Sequence, residues 1–357
     1  NHLVEYLPSV EPDTVQRLER DLRGIVEELL MVDRAEPAQK LITVLTEPTG
    51  REAEERELAG HTTVDVTIGS RVRPQALQSL FDEQGEALIE TCGSPLVSIL
   101  DEHLRTCLDH LATDYTGDIA PERAMRRRTA LASTNPTRIE AVLLGALELS
   151  LEHLLITDPA AAREYLQDYR SEGGVFRRTA LAVLASAPQR AKDQVREVLT
   201  EPANVDDDVI ATEFTTLLGA GFDVLSGDEQ TTLLDRILAG PDEDAIREAV
   251  SEHPDVESDH ELDRAVRVRV ERWQLRRLYQ IRDEIEEPYR SKVEQLIDHH
   301  GDIEYSPGSG YHVPMSIGDE QDETALDVAG LDAEAFVTAC IEHARQYQPD
   351  TEQEAFT

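Results

Sequence analysis

Residues that commonly bind metal ions are densest near the end of the chain. Asp298, His299 and Asp302 lie close together, and His312 follows them. Carboxylate oxygens and imidazole nitrogens are ligands of Zn²⁺ and of similar cations. These four residues are therefore the candidate ligands of a metal-dependent enzyme.

The two adjacent histidines of this segment restrict that hypothesis. Neighbouring residues of a helix point about 100° apart, so His299 and His300 cannot both bind one ion unless the helix ends between them. Gly301 is a suitable end. A helix C-terminus also stabilises protonated histidine without a metal. We therefore expect no bound metal and no cofactor, and the metal-dependent enzyme is the alternative hypothesis.

Other catalytic motifs are incomplete. Ser306-Pro307-Gly308-Ser309-Gly310 is glycine-rich, but no Gly-Lys-Ser/Thr follows, as phosphate binding would require. The chain has no G-x-S-x-G, and Arg264 stands where His260-Glu261 would need a second histidine. We assign no catalytic and no nucleotide-binding residue, and we expect a protein that is not an enzyme.

Arginines are concentrated between Arg264 and Arg282, where Glu271 is the one acidic residue. On a single helix, some would lie opposite the apolar stripe and others would flank or enter it. Their guanidinium groups either pair with acidic neighbouring helices or form a docking strip for an acidic partner. The candidate partner-binding residues are Arg264, Arg267, Arg269, Arg272, Arg276 and Arg277.

The net charge constrains both partner and habitat. The 357 residues include 73 acidic and 34 basic side chains, a net charge of −39, and only three of the basic residues are lysines. In molar salt the Debye length falls to about 3 Å, so such a surface stops repelling itself. We therefore expect a protein of a halophile. Binding to nucleic acid weakens steeply with salt, which favours a protein partner.

Cysteine content and hydropathy favour a cytoplasmic location. The three cysteines fit no paired-ligand spacing and are odd in number. The most apolar stretch, 141–156, contains two glutamates and is too short to span a membrane. Because the chain begins with Asn1, we expect it to be part of a larger protein.

Most segments have the helical period of apolar residues. Asp158-Pro159 is a helix start, and Ser226 with Glu229 predicts a capping box. Only Thr62–Ile68 alternates like a strand. We interpret it as an extended connection, with the edge of a small hairpin as the alternative.

A short internal repeat points to a particular helical fold. Arg-Arg-Thr-Ala-Leu-Ala occurs at 127–132 and again at 177–182. The offset is close to the roughly 40 to 47 residues of a HEAT-like unit. We predict an all-α fold, an α–α superhelix or HEAT-like repeat solenoid with a less regular C-terminal cap. An irregular helical bundle is the alternative.

The expected organisation has three parts. Residues 1–115 form an N-terminal helical segment, and residues 116–300 form the repeat region. Residues 301–357 contain a Pro/Gly-rich loop, a last helix and a polar tail. Whether residues 1–60 join the same array is left open.

Several segments, read together, resemble a known class of protein. They are 176–184, the stretch from Phe214 to Pro241, and the stretch from Arg272 to Gly301. They are similar to the helical-repeat C-terminal regions of large prokaryotic proteins that carry a STAND-type NTPase, some associated with defence. The resemblance covers about 71–350 and implies a sensor or scaffold arm whose nucleotide chemistry lies elsewhere.

These observations lead to a function hypothesis. We expect a non-catalytic, protein-interaction or ligand-sensing helical module in the cytoplasm of a halophile. Its partner is a protein, with nucleic acid disfavoured and no membrane involved.

Overall fold

The protein is mostly helical, so the all-α prediction is confirmed. A computed structural model describes residues 24–31, 34–58, 61–112, 138–172, 174–251 and 258–301, with the backbone alone for 51–66. The finer prediction of a HEAT-like superhelix stays a prediction.

The described helices and strands follow one another in this order. A helical stretch covers 24–31. The elements after it are α1 (Ala35–Thr46), β1 (Pro48–Leu58), β2 (His61–Ser70), α2 (Pro74–Cys92), α3 (Ser94–Ala112), α4 (Ile139–Thr157), α5 (Pro159–Ser171), α6 (Gly174–Ser186), α7 (Lys192–Thr200), α8 (Pro202–Asp206), α9 (Ala211–Gly221), α10 (Gly227–Ala239), α11 (Glu243–Ser251), α12 (Asp259–Leu278) and α13 (Tyr289–His300).

Helix α4 lies at the centre of the packing. It contacts α2 and α3 as well as α5 and α6. Its sequence is apolar on nearly all sides, as is typical of a helix in the core. Neighbours cover most of its faces, although Leu149 and Ile156 are exposed. Leu143, Leu147 and Leu151 are completely buried. The stretch that hydropathy singled out is thus a core helix, and none of the described helices combines the length and apolarity that crossing a membrane requires.

Later helices pack mainly on near neighbours in the chain. Helix α6 contacts α4, α5 and α9, while α12 contacts α9, α10, α11 and α13. The buried apolar residues form one cluster that extends from Val26 to Leu296.

The repeated Arg-Arg pair has a packing role in its second copy. Arg178 of α6 donates hydrogen bonds to Glu213 of α9, with Nη2 2.8 Å from Oε1, and both side chains are buried. Arg177 donates to Asp207 and Asn204. The pair therefore joins α6 to α8, α9 and the segment between them. The first copy, 127–132, lies outside the described residues.

The interpretation of Thr62–Ile68 as an extended connection was wrong, and the hairpin alternative is the observed structure. Strands β1 and β2 pair antiparallel, with Arg51 opposite Ile68. Strand β1 was missed because 51–57 has glutamates and arginines where a half-buried strand would show alternating apolar residues. Ile68 is buried, and β2 contacts α3 and α4.

The predicted helix starts that fall in the described part are confirmed. Asp158 accepts a hydrogen bond from the Ala161 backbone N–H at the start of α5. Ser226 and Glu229 form the reciprocal capping box of α10, with the Ser226 N–H 2.8 Å from the glutamate carboxylate. Such caps are worth about 1 kcal/mol each because they satisfy otherwise unpaired backbone donors.

The predicted domain boundaries are not settled by these contacts and stay predictions. The boundary between 115 and 116 lies outside the described residues, as does the segment after 301 with its predicted last helix. Helices on the two sides of the first boundary, α3 and α4, pack against each other.

Breaking the buried Arg178–Glu213 pair should strongly destabilise the protein. We expect Glu213→Ala to lower the free energy of unfolding by about 3–5 kcal/mol, because it leaves the Arg178 guanidinium buried without this carboxylate. Replacing both residues by apolar ones, Arg178→Met with Glu213→Leu, should cost less than the single change. Urea unfolding followed by circular dichroism measures both.

The matched control is Glu248→Ala, which removes an exposed carboxylate of α11. It should change stability by less than about 0.5 kcal/mol. Equal effects of Glu213→Ala and Glu248→Ala would refute the role given to the buried pair.

Candidate functional site

The predicted arginine strip lies on α12, and the structure divides it into exposed and buried members. Arg264, Arg267, Arg269 and Arg272 are exposed, whereas Arg276 is half-buried. The opposite face of the helix carries the apolar stripe, including Val266, Val270 and Trp273, which is buried. The sequence pattern had placed the stripe on this face.

Arg277 belongs to the core, which corrects its assignment to the partner-binding set. Its side chain is 1% exposed. Its Nε donates to the backbone carbonyl of Val205 at 2.7 Å, and its guanidinium lies 3.8 Å from the centre of the Trp273 ring. Because these contacts satisfy it inside the protein, Arg277 cannot reach a partner. It connects α12 to α8.

Burial also affects the charge of Arg277. Loss of solvation lowers its pKa to about 10, and the nearby Asp208 carboxylate, 3.5 Å from Nη2, opposes that change. The guanidinium is therefore still protonated at neutral pH. Its positive charge is stabilised inside the fold by the ring face, the carbonyl and Asp208.

Two of the exposed arginines differ from the others in their surroundings. Arg264, Arg269 and Arg276 interact with other groups of the protein. For Arg267 and Arg272, the described residues supply no ion-pair partner. This is notable in a chain whose acidic residues outnumber its basic ones by more than two to one.

The predicted metal cluster is only partly described, and the structure adds an unpredicted member. Asp302 and His312 lie outside the described residues, and Asp298 is exposed near the end of α13. His299 and His300 instead meet Glu271 of α12, and the ligand atoms of these three residues all lie within 4.8 Å of one another.

Hydrogen bonding and exposure differ between the two histidines. His300 Nε2 is 2.8 Å from Glu271 Oε2, and its side chain is 6% exposed. His299 Nε2 is 3.9 Å from the same oxygen, and its side chain is 66% exposed. The rings meet edge to face with centres 4.6 Å apart.

Both histidines lie in the last turn of α13, so the helix does not end between them as the sequence-based hypothesis of a shared ion required. The helix stops at His300, and Gly301 follows at φ +78°, a backbone conformation that glycine adopts readily. Val293 and Leu296 anchor the helix in the core, and α13 packs on α12. Glu271 cannot be predicted as a member of this cluster from the sequence, because nothing in the spacing of residues so far apart indicates that they meet.

Arg105 forms a second ionic cluster, between α3 and the end of α5, that has a packing role. It donates to both oxygens of Glu172, at 2.7 and 2.9 Å, and to Asp101. Its guanidinium also lies over the ring of Phe176. Burial and the hydrogen bond to Asp101 raise the pKa of Tyr169, which keeps that hydroxyl protonated.

The described cysteines are buried thiols. Burial raises the pKa of Cys92 to about 11 and that of Cys107 to about 12. At neutral pH both therefore stay protonated, and a protonated thiol is a poor nucleophile. Cys340 lies outside the described residues.

An open cleft of about 480 Å³ lies between α1 and α3. Glu36 and Lys40, which pair with each other at 2.7 Å, line its α1 side, and Ser94 and Ser98 line the other. Ser98 hydrogen-bonds to the Tyr165 hydroxyl at 2.7 Å. These polar groups of the cleft are thus already bonded to other groups of the protein.

Comparison with protein-family models, curated proteins and solved structures finds no match to this chain. The resemblance to helical-repeat regions of STAND-type proteins stays a prediction.

Replacing Arg277 should affect stability, whereas replacing Arg272 should not. We expect Arg277→Ala to lower the free energy of unfolding by about 2–4 kcal/mol, because it removes the ring contact and the hydrogen bond to Val205. Arg272→Ala, on the exposed face of the same helix, should change it by less than about 0.5 kcal/mol. Urea unfolding of the two variants and of the parent protein measures these changes in the free energy of unfolding. Similar losses in both would mean that the division of the helix into core and surface arginines is wrong.

Proposed function

We propose that this chain is a non-catalytic helical-repeat module that binds an acidic protein surface. The contact region is the arginine face, which we define as the exposed or half-exposed arginines of α12. These are Arg264, Arg267, Arg269, Arg272 and Arg276.

The observation that carries the proposal is that Arg267 and Arg272 lie on the same helix and are both without an ion-pair partner among the described residues. Both are also exposed. Elsewhere in the described structure, arginines such as Arg105, Arg177 and Arg178 are paired with carboxylates. A guanidinium is planar and presents paired donors that match a carboxylate. The guanidinium donors of Arg267 and Arg272 are therefore available to the carboxylates of a partner.

Charge and salt favour a protein as the partner. The long-range attraction of phosphates depends on counterion release, which weakens steeply as salt rises. Short, direct guanidinium–carboxylate contacts that exclude solvent are screened less. The net charge of −39 and the scarcity of lysine support a habitat of high salt, in the cytoplasm of a halophile. In that setting an acidic protein surface is a better partner than nucleic acid.

The resemblance to the arms of STAND-type proteins gives the module a place in a larger protein. Stacked helices offer an extended surface for recognition and need no catalytic group. On this proposal the chain reports or scaffolds a contact, and any nucleotide chemistry belongs to another part.

Charge reversal on the arginine face should abolish binding to an acidic probe. The probe is a fluorescently labelled oligoglutamate peptide, and anisotropy is measured at the lowest salt at which circular dichroism shows the full chain folded. We expect Arg267→Glu with Arg272→Glu to weaken binding at least about tenfold, because like charges then face each other.

The matched control makes the same change of charge elsewhere, with Arg34→Glu and Arg190→Glu. Both arginines are exposed, and the described structure shows no ion pair for either. The control should bind like the parent. The proposal is overturned if the parent protein does not bind the peptide. It is also overturned if the parent protein binds a single-stranded DNA oligonucleotide instead. Equal weakening in the two double variants would show that net charge alone acts.

The halophile assignment predicts a strong salt dependence of thermal stability. We expect the melting temperature to rise between about 0.1 and 3 M KCl, because screening removes repulsion among the carboxylates. Differential scanning calorimetry measures it. A variant with Glu248→Gln, Glu294→Gln and Asp298→Asn, all exposed positions, should depend less on salt. A melting temperature that stays constant over this range would contradict the assignment.

A further inference from the structure

We propose that Glu271, His299 and His300 form a binding site for a transition-metal cation of the Zn²⁺ type, which fixes the end of α13 to α12. This site is separate from the proposed binding function, since none of its members belongs to the arginine face. It differs from the cluster that the sequence suggested, because its carboxylate comes from α12.

The distances among the three ligand atoms are close to those of a zinc site. Zinc–nitrogen and zinc–oxygen bonds are about 2.0–2.2 Å long, which places the ligand atoms of a tetrahedral site about 3.4 Å apart. Glu271 Oε2 lies 2.8 Å from His300 Nε2 and 3.9 Å from His299 Nε2. The three atoms all lie within 4.8 Å of one another. The two measured separations thus lie on either side of the value for a tetrahedral site.

The backbone explains how two adjacent histidines reach one carboxylate. Their side chains leave a helix about 100° apart, and here the rings lie at 90° with their centres 4.6 Å apart. Glu271 Oε2 lies within 3.9 Å of a nitrogen of each ring, and α12, which carries Glu271, packs against α13. His300 is held by burial, whereas His299 is largely exposed and has room to adjust.

The donor set determines the class of cation. Two imidazole nitrogens and one carboxylate oxygen suit Zn²⁺ and its neighbours in the first transition series. Mg²⁺ prefers an octahedral shell of oxygens and would not gain from the imidazoles. Three protein ligands leave one position of a tetrahedral ion for water or for a partner's side chain.

Neighbouring charges act in opposite directions on such a site. Arg267, one turn before Glu271, and Arg272, next to it, disfavour a cation, whereas the net charge of −39 favours one. At molar salt both long-range effects are screened within about 3 Å, and the direct ligand bonds remain. The alternative occupant of the carboxylate is protonated His300 in a simple ion pair, which would leave no site for a metal.

The test is a titration of the full chain with Co²⁺, followed by displacement with Zn²⁺. Cobalt bound in a tetrahedral site gives visible d–d absorption, which reports coordination without any assay of activity. We expect one equivalent to bind, Zn²⁺ to displace it, and excess Mg²⁺ to leave it in place. His299→Ala should weaken binding at least about tenfold, since even residues that only support a metal ligand cost 10–100-fold when lost. Glu271→Gln should do the same.

Two controls separate this site from adventitious binding by surface carboxylates. Asp298→Asn removes the exposed carboxylate beside His299, and His260→Ala removes an exposed histidine at the start of α12. Both should bind Co²⁺ like the parent, and circular dichroism should show all variants folded. The proposal is refuted by the absence of the d–d band, by His299→Ala binding like the parent, or by Asp298→Asn losing as much affinity as His299→Ala. None of these outcomes depends on the arginine face.

Discussion

The burial of α4 on most of its faces is the contact on which the rest of the described fold depends. Its apolar residues project in every direction around the axis, so no single neighbour can cover them. Helices α2 and α3 pack on it together with α5 and α6. The elements before it and the elements after it thereby share one apolar core, and later helices extend that core as far as Leu296. If α4 were exposed to water, apolar residues of α2 and α3 and of α5 and α6 would be exposed as well.

Arginine has two distinct roles on this scaffold, and local surroundings decide between them. Arg178 and Arg277 are buried because each finds fixed acceptors on a neighbouring element, Glu213 in one case and the Val205 carbonyl in the other. A guanidinium without such acceptors would be costly to bury. Arg267 and Arg272 project from the outer face of α12, where no such acceptor stands among the described residues. The buried arginines therefore fix how helices meet, whereas Arg267 and Arg272 make no such contact among the described residues.

Local sequence signals predicted the helices well, and long-range contacts escaped them. Ser226 and Glu229 identified a helix start because the capping box is complete within four residues. Periodicity predicts the buried face of α12 correctly. It cannot show that Val205 supplies an acceptor for Arg277, so Arg277 is among the candidate partner-binding residues of the sequence analysis. The hairpin was misinterpreted because β1 is charged and only its partner alternates. For the same reason Glu271 was missed, since its proximity to His299 and His300 exists only once α13 has packed on α12.

Glu271 belongs to the same helix as the arginine face, and it is also the residue of α12 that contacts the two histidines of α13. Its carboxylate lies within the arginine run of the sequence but is directed to His300, 2.8 Å away. That contact keeps it from neutralising Arg267 or Arg272, for which no ion pair is found in the described part of the chain. In dilute salt the two arginines would also repel a cation at Glu271. In molar salt that repulsion fades beyond about 3 Å, while bonds made by direct contact persist. On the two proposals made above, a face that binds anions and a site that binds a cation would lie side by side along α12, and high salt would lessen the conflict between them.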